Sequence, residues 1–189
     1  MHRNQGTTSW ITKAVLHALA GLTAGAAAGA ALGLLGSRLP LDVRAAAAAV
    51  LGVTAVVVGA AELWSPRTRG PRGRDRETPQ RWMDMGPLRW AARNGIALGL
   101  GFTSRLGFWL WFVVPLTGLL SGSLWVGALA YGLYGFSRTA LPGAVMAAAI
   151  ARPGWEYDLW LLRRGMQARS LAAGNLVLTG AAVSVGVGL

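Results

Sequence analysis

Five apolar stretches constrain this chain more than anything else in it. Crossing a hydrocarbon core of roughly 30 Å takes about 20 residues of helix. Stretches of that length cover 11–36, 41–64, 91–120, 123–150 and 170–189. Charged residues make up 13% of the chain and hydrophobic residues 53%, and the mean hydropathy is +0.44. A soluble domain carries about 25% charged residues, so composition argues against a water-soluble fold. Inside lipid each segment must satisfy its own backbone groups, which favours helices. The expected fold is all-α: a polytopic membrane helical bundle of about five transmembrane helices, forming one integral membrane domain over 1–189.

The first stretch follows Arg3 and Lys13, as the apolar core of a signal peptide would. Its run exceeds the roughly 7–15 apolar residues of such peptides, so a retained helix is expected.

Charge sets the orientation. Eighteen Lys and Arg stand against seven Asp and Glu, a net of +11. Lys13 is the one lysine among the eighteen. The bias to Arg, Ala and Gly is that of a GC-rich bacterial genome. Arg67, Arg69, Arg72, Arg74, Arg76, Arg81, Arg89 and Arg93 lie between the second and third stretches. Arg152, Arg163, Arg164 and Arg169 lie between the fourth and fifth, whereas the intervening connections hold only Arg38 and Arg44 or none. Arginine-rich loops stay in the cytoplasm. The expectation is a bacterial inner-membrane protein with its N-terminus inside and its C-terminus outside.

The basic loop 65–90 has too few apolar residues to fold alone. It reads as a solvated orientation signal, with contact to anionic lipid as the alternative. No aromatic stacking pattern accompanies its charge, so no nucleic-acid partner is expected. Residues 153–165 read as a short interfacial helix. Glu156 and Asp158 suit its first turn and Arg163 and Arg164 its last, and Trp155, Leu159 and Leu162 share one face.

In the first stretch Gly21, Gly25, Gly29 and Gly33 recur every four residues. On a helix they form a bare face that lets another backbone approach. The approaching helix could belong to this chain or to a second protomer. His17, one turn earlier, reads as a structural residue rather than a ligand. With no cysteine and only His2 and His17, no metal or cofactor is expected.

Arg105 and Arg138 are the least expected residues. Each lies about 16 residues, or roughly 24 Å of helix, from the turn near Ser121 and Gly122. In an antiparallel hairpin both fall near the midplane. An arginine there costs at least about 2.5–3.5 kcal/mol and faces protein or water. Asp42 and Glu62 sit at the two ends of the second stretch and the other acids are in loops, so no acid of the chain is at that depth. Tyr131 and Tyr134 share a face with Arg138. Gly99, Gly101 and Gly107, with Thr103 and Ser104, weaken the third helix around Arg105 and invite a break. Broken helices with polar residues at mid-membrane are how transporters build sites. The pair could bind freed carbonyls, a small anionic or polar solute, or acids of a partner protein. The candidate site is Arg105, Arg138, Tyr131, Tyr134, Thr103 and Ser104.

Over 95–145, GIALGLGFTSRLGFWLWFVVPLTGLLSG and then GALAYGLYGFSRTALPG resemble one half of the cytochrome c biogenesis transmembrane proteins of the CcdA/DsbD type, and their LysE/TauE-like relatives. The shared features are a Gly-rich broken helix, a short outer turn and a helix ending in Gly, Arg and Pro. The thiol-relaying members need membrane cysteines where Thr103, Ser104 and Arg105 stand here. The resemblance therefore implies transport or an accessory role without electron transfer.

Transport or binding of a small anionic or polar solute is the first functional expectation. The alternative is a non-catalytic membrane subunit or assembly factor of an envelope complex, such as one for cytochrome maturation. Five spans are few for a carrier, so a homo-oligomer or a membrane partner protein is expected. An enzyme is not: intramembrane proteolysis would rely on His17 as its base, and no serine motif is set against it.

Overall fold

The computed structural model describes residues 7–64, 86–101, 109–150 and 171–183. Those residues are helical apart from short connections. The helices are α1 (Thr7–Gly36), α2 (Leu41–Trp64), α3 (Pro87–Leu100), α4 (Leu110–Ser121) and α5 (Leu124–Ile150), followed by α6 (Leu171–Val183). Trp10–Gly36 and Leu41–Trp64 are each long and apolar enough to cross a membrane. The loop residues 65–85 and the segment 153–165 lie outside the described residues, as does the chain beyond Val183.

Local sequence explains the helix ends. Pro40 directly precedes α2, and its carbonyl accepts the Arg44 N–H at 3.1 Å. α3 begins at Pro87, where the missing N–H would have had no helical partner anyway. The helix therefore starts earlier than 91, and Arg89, Trp90 and Arg93 belong to it rather than to the basic loop. α3 and α4 both end on a left-handed glycine. Gly101 (φ 79°) and Gly122 (φ 62°) each donate an N–H at 3.2 Å to a carbonyl three residues back. This geometry closes a helix and suits glycine, which has no Cβ to clash.

The stretch 91–120, read from sequence as one span, is two helices. Its two parts still run the same way along α1. His17 and Gly21 meet α3 at Gly95 and Gly99, and Gly36 meets α4 at Leu119. α5 runs antiparallel to α1 and covers the Gly21, Gly25, Gly29 and Gly33 face. A Cβ added at these four glycines would collide in turn with Thr139 and Gly135, Tyr131, Gly127 and Ser123. Every step of four residues up α1 is a step of four down α5.

α2 and α6 form a second antiparallel pair. Gly59 approaches Ala173 and Val177, and Gly180 approaches Gly52, Ala55 and Val56. Ala55, Leu176 and Val113 of α4 make a small buried cluster that joins this pair to the rest. The outward faces stay apolar: Val50, Val53 and Val57 on α2 and Trp125, Leu129 and Leu133 on α5 are all exposed.

Candidate functional site

Three helices come together around Gly21. The positions that Cβ atoms would take on Gly99 and Gly135 are both occupied by the Gly21 carbonyl, and a Cβ on Gly135 would also lie 3.3 Å from the Gly99 Cα. Only glycine permits such a junction. It lies about 11 residues from Trp10 and about 15 from Gly36, which is the mid-length of α1. Beside it Thr139, 3% exposed, donates its hydroxyl to Gly135 O at 2.8 Å and approaches Phe136 O at 3.1 Å.

α3 ends just past this junction, and a helix end leaves carbonyls without helical partners. α5 supplies donors for two of them. Tyr131 Oη donates to Leu100 O at 2.5 Å. Arg138 Nη1 donates to Gly101 O at 3.4 Å and to Tyr134 Oη. The spacing of four and seven residues puts all three side chains on one face of α5. The Tyr131 and Tyr134 rings stack with centroids 4.9 Å apart and planes 7° apart. Trp111, on α4, packs against Tyr134 in a T-shaped pair with centroids 5.0 Å apart, and the Arg138 Cζ stands 5.8 Å from the Tyr134 ring centre. Both tyrosines are buried, at 6% and 4% exposure.

A Cβ at Gly101 would lie 2.6 Å from Tyr134 Oη and 2.8 Å from Tyr131 Oη. The same glycine thus ends the helix and makes room for the two hydroxyls. Chemically, the cluster can neutralise a helix C-terminus with a cation and hydrogen-bond it with phenols. It brings Arg138, Tyr131 and Tyr134 together. Thr103, Ser104 and Arg105 lie outside the described residues.

Some positions were not singled out in the sequence. Trp111 and Thr139 complete the cluster, beside Gly101, which the sequence marks as a point of helix weakness. Arg44, counted there as a connection charge, is on the first turn of α2. Its Nη1 donates to Ser121 O at 2.9 Å and lies over Gly122. It places positive charge at the carboxyl end of α4, where the helix dipole favours it. His17 Nδ1 lies 2.9 Å from Ala91 O, and the ring stacks on Trp90 at 6.3 Å. A carbonyl can only accept, so the proton is on Nδ1 and the histidine ties α1 to α3.

No family model, curated protein or solved structure matches this chain.

Proposed function

We propose that this is a multi-pass protein of a bacterial inner membrane that binds, and moves, a small anionic or polar solute at the interruption between α3 and α4. Helix directions support five traverses: α1, the α3–α4 pair and α6 run one way, α2 and α5 the other. The arginine-rich connections put the amino end in the cytoplasm. The cluster then falls at mid-membrane, since it is level with the middle of α1.

The observation that carries the reading is Arg138 at the carboxyl end of α3, flanked by the Tyr131 and Tyr134 hydroxyls. Magnitudes favour an anion over a cation. Arg138 contributes a full positive charge, while the end of α3 contributes about −0.5 and the start of α4, across the break, about +0.5. These groups together are net positive. Hydrogen bonds to a charged group are worth about 1.5–3 kcal/mol each, comparable with the cost of placing an arginine at that depth. Arg138 can therefore reside there before any solute arrives.

The test is a thermal-shift panel on purified protein with phosphate, sulfate, acetate and bicarbonate. A ligand at a hundred times its Kd should add about 2.7 kcal/mol, a readily measured rise in Tm. Arg138→Gln should abolish the shift. Arg138→Lys should keep part of it, because lysine retains charge but not the planar fork. No shift from any of the four would turn the reading towards a non-catalytic membrane subunit or assembly factor. One observation favours that second role: the bonds of Arg138 and Tyr131 to α3 need no ligand.

A further inference from the structure

The two sides of α6 are cleanly separated. Ala173, Leu176 and Gly180 are buried, packed on α2 with Val113 of α4 beside Leu176. Leu171, Asn175, Leu178 and Ala182 are exposed. Steps of three and four residues put these four on one side of the helix, opposite the buried three.

Asn175 is out of place on that side. A carboxamide carries two N–H donors and an acceptor oxygen, and among the described residues nothing hydrogen-bonds this one. Its depth can be read from α2. A Cβ on Gly59 would lie 2.9 Å from Ala173 O and 3.1 Å from Val177 N, so Asn175 is level with Gly59. Gly59 is five residues short of Trp64, the last residue of α2, or roughly 7.5 Å of helix. α2 has 24 residues, roughly 36 Å, against a hydrocarbon core of about 30 Å. With α2 spanning the bilayer, Asn175 is inside the hydrocarbon, where water supplies no partner and an unpaired amide is costly. Thr23, exposed on α1, shows how a smaller polar group copes: its hydroxyl donates to Leu19 O at 3.0 Å and approaches Ala20 O at 3.2 Å. An asparagine has more to satisfy.

A second copy of the chain supplies what is missing. Copies of a membrane protein insert the same way up, so a two-fold axis relating two of them runs along the bilayer normal. Two α6 helices then meet in parallel and in register, and Asn175 meets its counterpart at its own depth. The amide both donates and accepts, so it complements itself. We propose that the Leu171, Asn175, Leu178 and Ala182 face of α6 is the contact of a homodimer, in which the two Asn175 amides hydrogen-bond each other. Hydrogen-bonded amides hold helices together in lipid, and the small Ala182 lets the backbones approach. The inference uses the membrane placement of α6 and is independent of the solute site.

The chain has no cysteine, so single introduced cysteines report contacts without background. Leu178→Cys and Ala182→Cys lie on the proposed face; Leu133→Cys, on the exposed side of α5, is the control. The full chain would be reconstituted in phosphatidylethanolamine–phosphatidylglycerol bilayers and oxidised. Disulfide-linked dimers are expected for the two α6 variants and monomer for the control. Energy transfer between donor- and acceptor-labelled copies, followed as lipid dilutes the protein, then measures the strength of the contact. Asn175→Leu keeps the volume but loses both amide bonds, and should move the dissociation midpoint about tenfold or more towards monomer. Asn175→Gln, which keeps an amide, should fall between. If Asn175→Leu is not recovered folded, the cysteine pattern still decides. Equal cross-linking at Leu133→Cys and Leu178→Cys would overturn the interface, and so would an Asn175→Leu variant that dimerises like the wild type. A chain inserted in the bilayer but monomeric at every dilution would overturn the interface alone. A chain absent from the membrane fraction would overturn the membrane placement with it.

Discussion

Tyr131 and Arg138 do for the end of α3 what water does for a helix end at a protein surface. The Leu100 and Gly101 carbonyls point into the bundle, and each receives a donor from α5. Removing one donor should leave a buried carbonyl unsatisfied, at a cost of about 1–3 kcal/mol. Tyr131→Phe should therefore lower Tm in detergent, with the ring stack on Tyr134 retained. Gly101→Ala should cost more. It forces a Cβ onto both tyrosine hydroxyls and adds the strain of a positive φ, about 1–3 kcal/mol by itself. If Tyr131→Phe melts like wild type while Gly101→Ala is also neutral, α3 does not end where these residues hold it.

At the scale of elements, the α1–α5 pair carries the bundle. Its contacts are backbone to backbone, so the sensitive positions are those where a side chain would displace a helix. Gly29→Leu should lower Tm sharply or prevent recovery of folded protein, because the Gly127 backbone occupies the space needed. Gly174→Ala on α6 is the contrast: nothing lies within 4 Å of the added carbon. It should be neutral or stabilising by about 0.4–1 kcal/mol, through the lower entropy of the unfolded chain. Equal behaviour of the two variants in a melting assay would show that glycine content rather than contact governs stability.

Parts of this arrangement can be read in the sequence for physical reasons. Four glycines in register leave a bare face whatever surrounds them, so the stripe on α1 is visible before any partner is known. Its counterpart on α5 is Ser123, Gly127, Tyr131, Gly135 and Thr139. That row hides because Tyr131 is large, although it meets Gly25 with its backbone while its ring turns towards α3. The break in the third stretch is legible as weakness, since glycine and hydroxyl residues gather there. Where the helix stops is not, because that depends on Tyr131 and Arg138 reaching across from another helix. Arg44 was hidden for a similar reason: counting charge by connection assigns it to a side of the membrane, whereas its guanidinium reaches the far end of α4.

For the whole molecule, the account depends on how many times the chain crosses the bilayer. α1 and α2 qualify on their own length and apolar character. α3 and α4 qualify only as one interrupted traverse, and α6 only if it continues beyond Val183. Helix direction makes the count testable, because an odd number of traverses puts the two ends on opposite sides. The most direct measurement is a pair of fusions after Leu189 in bacterial cells, one to alkaline phosphatase and one to a fluorescent protein that matures only in the cytoplasm. The account predicts an active phosphatase and a dark fluorescent fusion. A bright fluorescent fusion with inactive phosphatase would contradict five traverses, and with them the placing of Arg138 at mid-membrane.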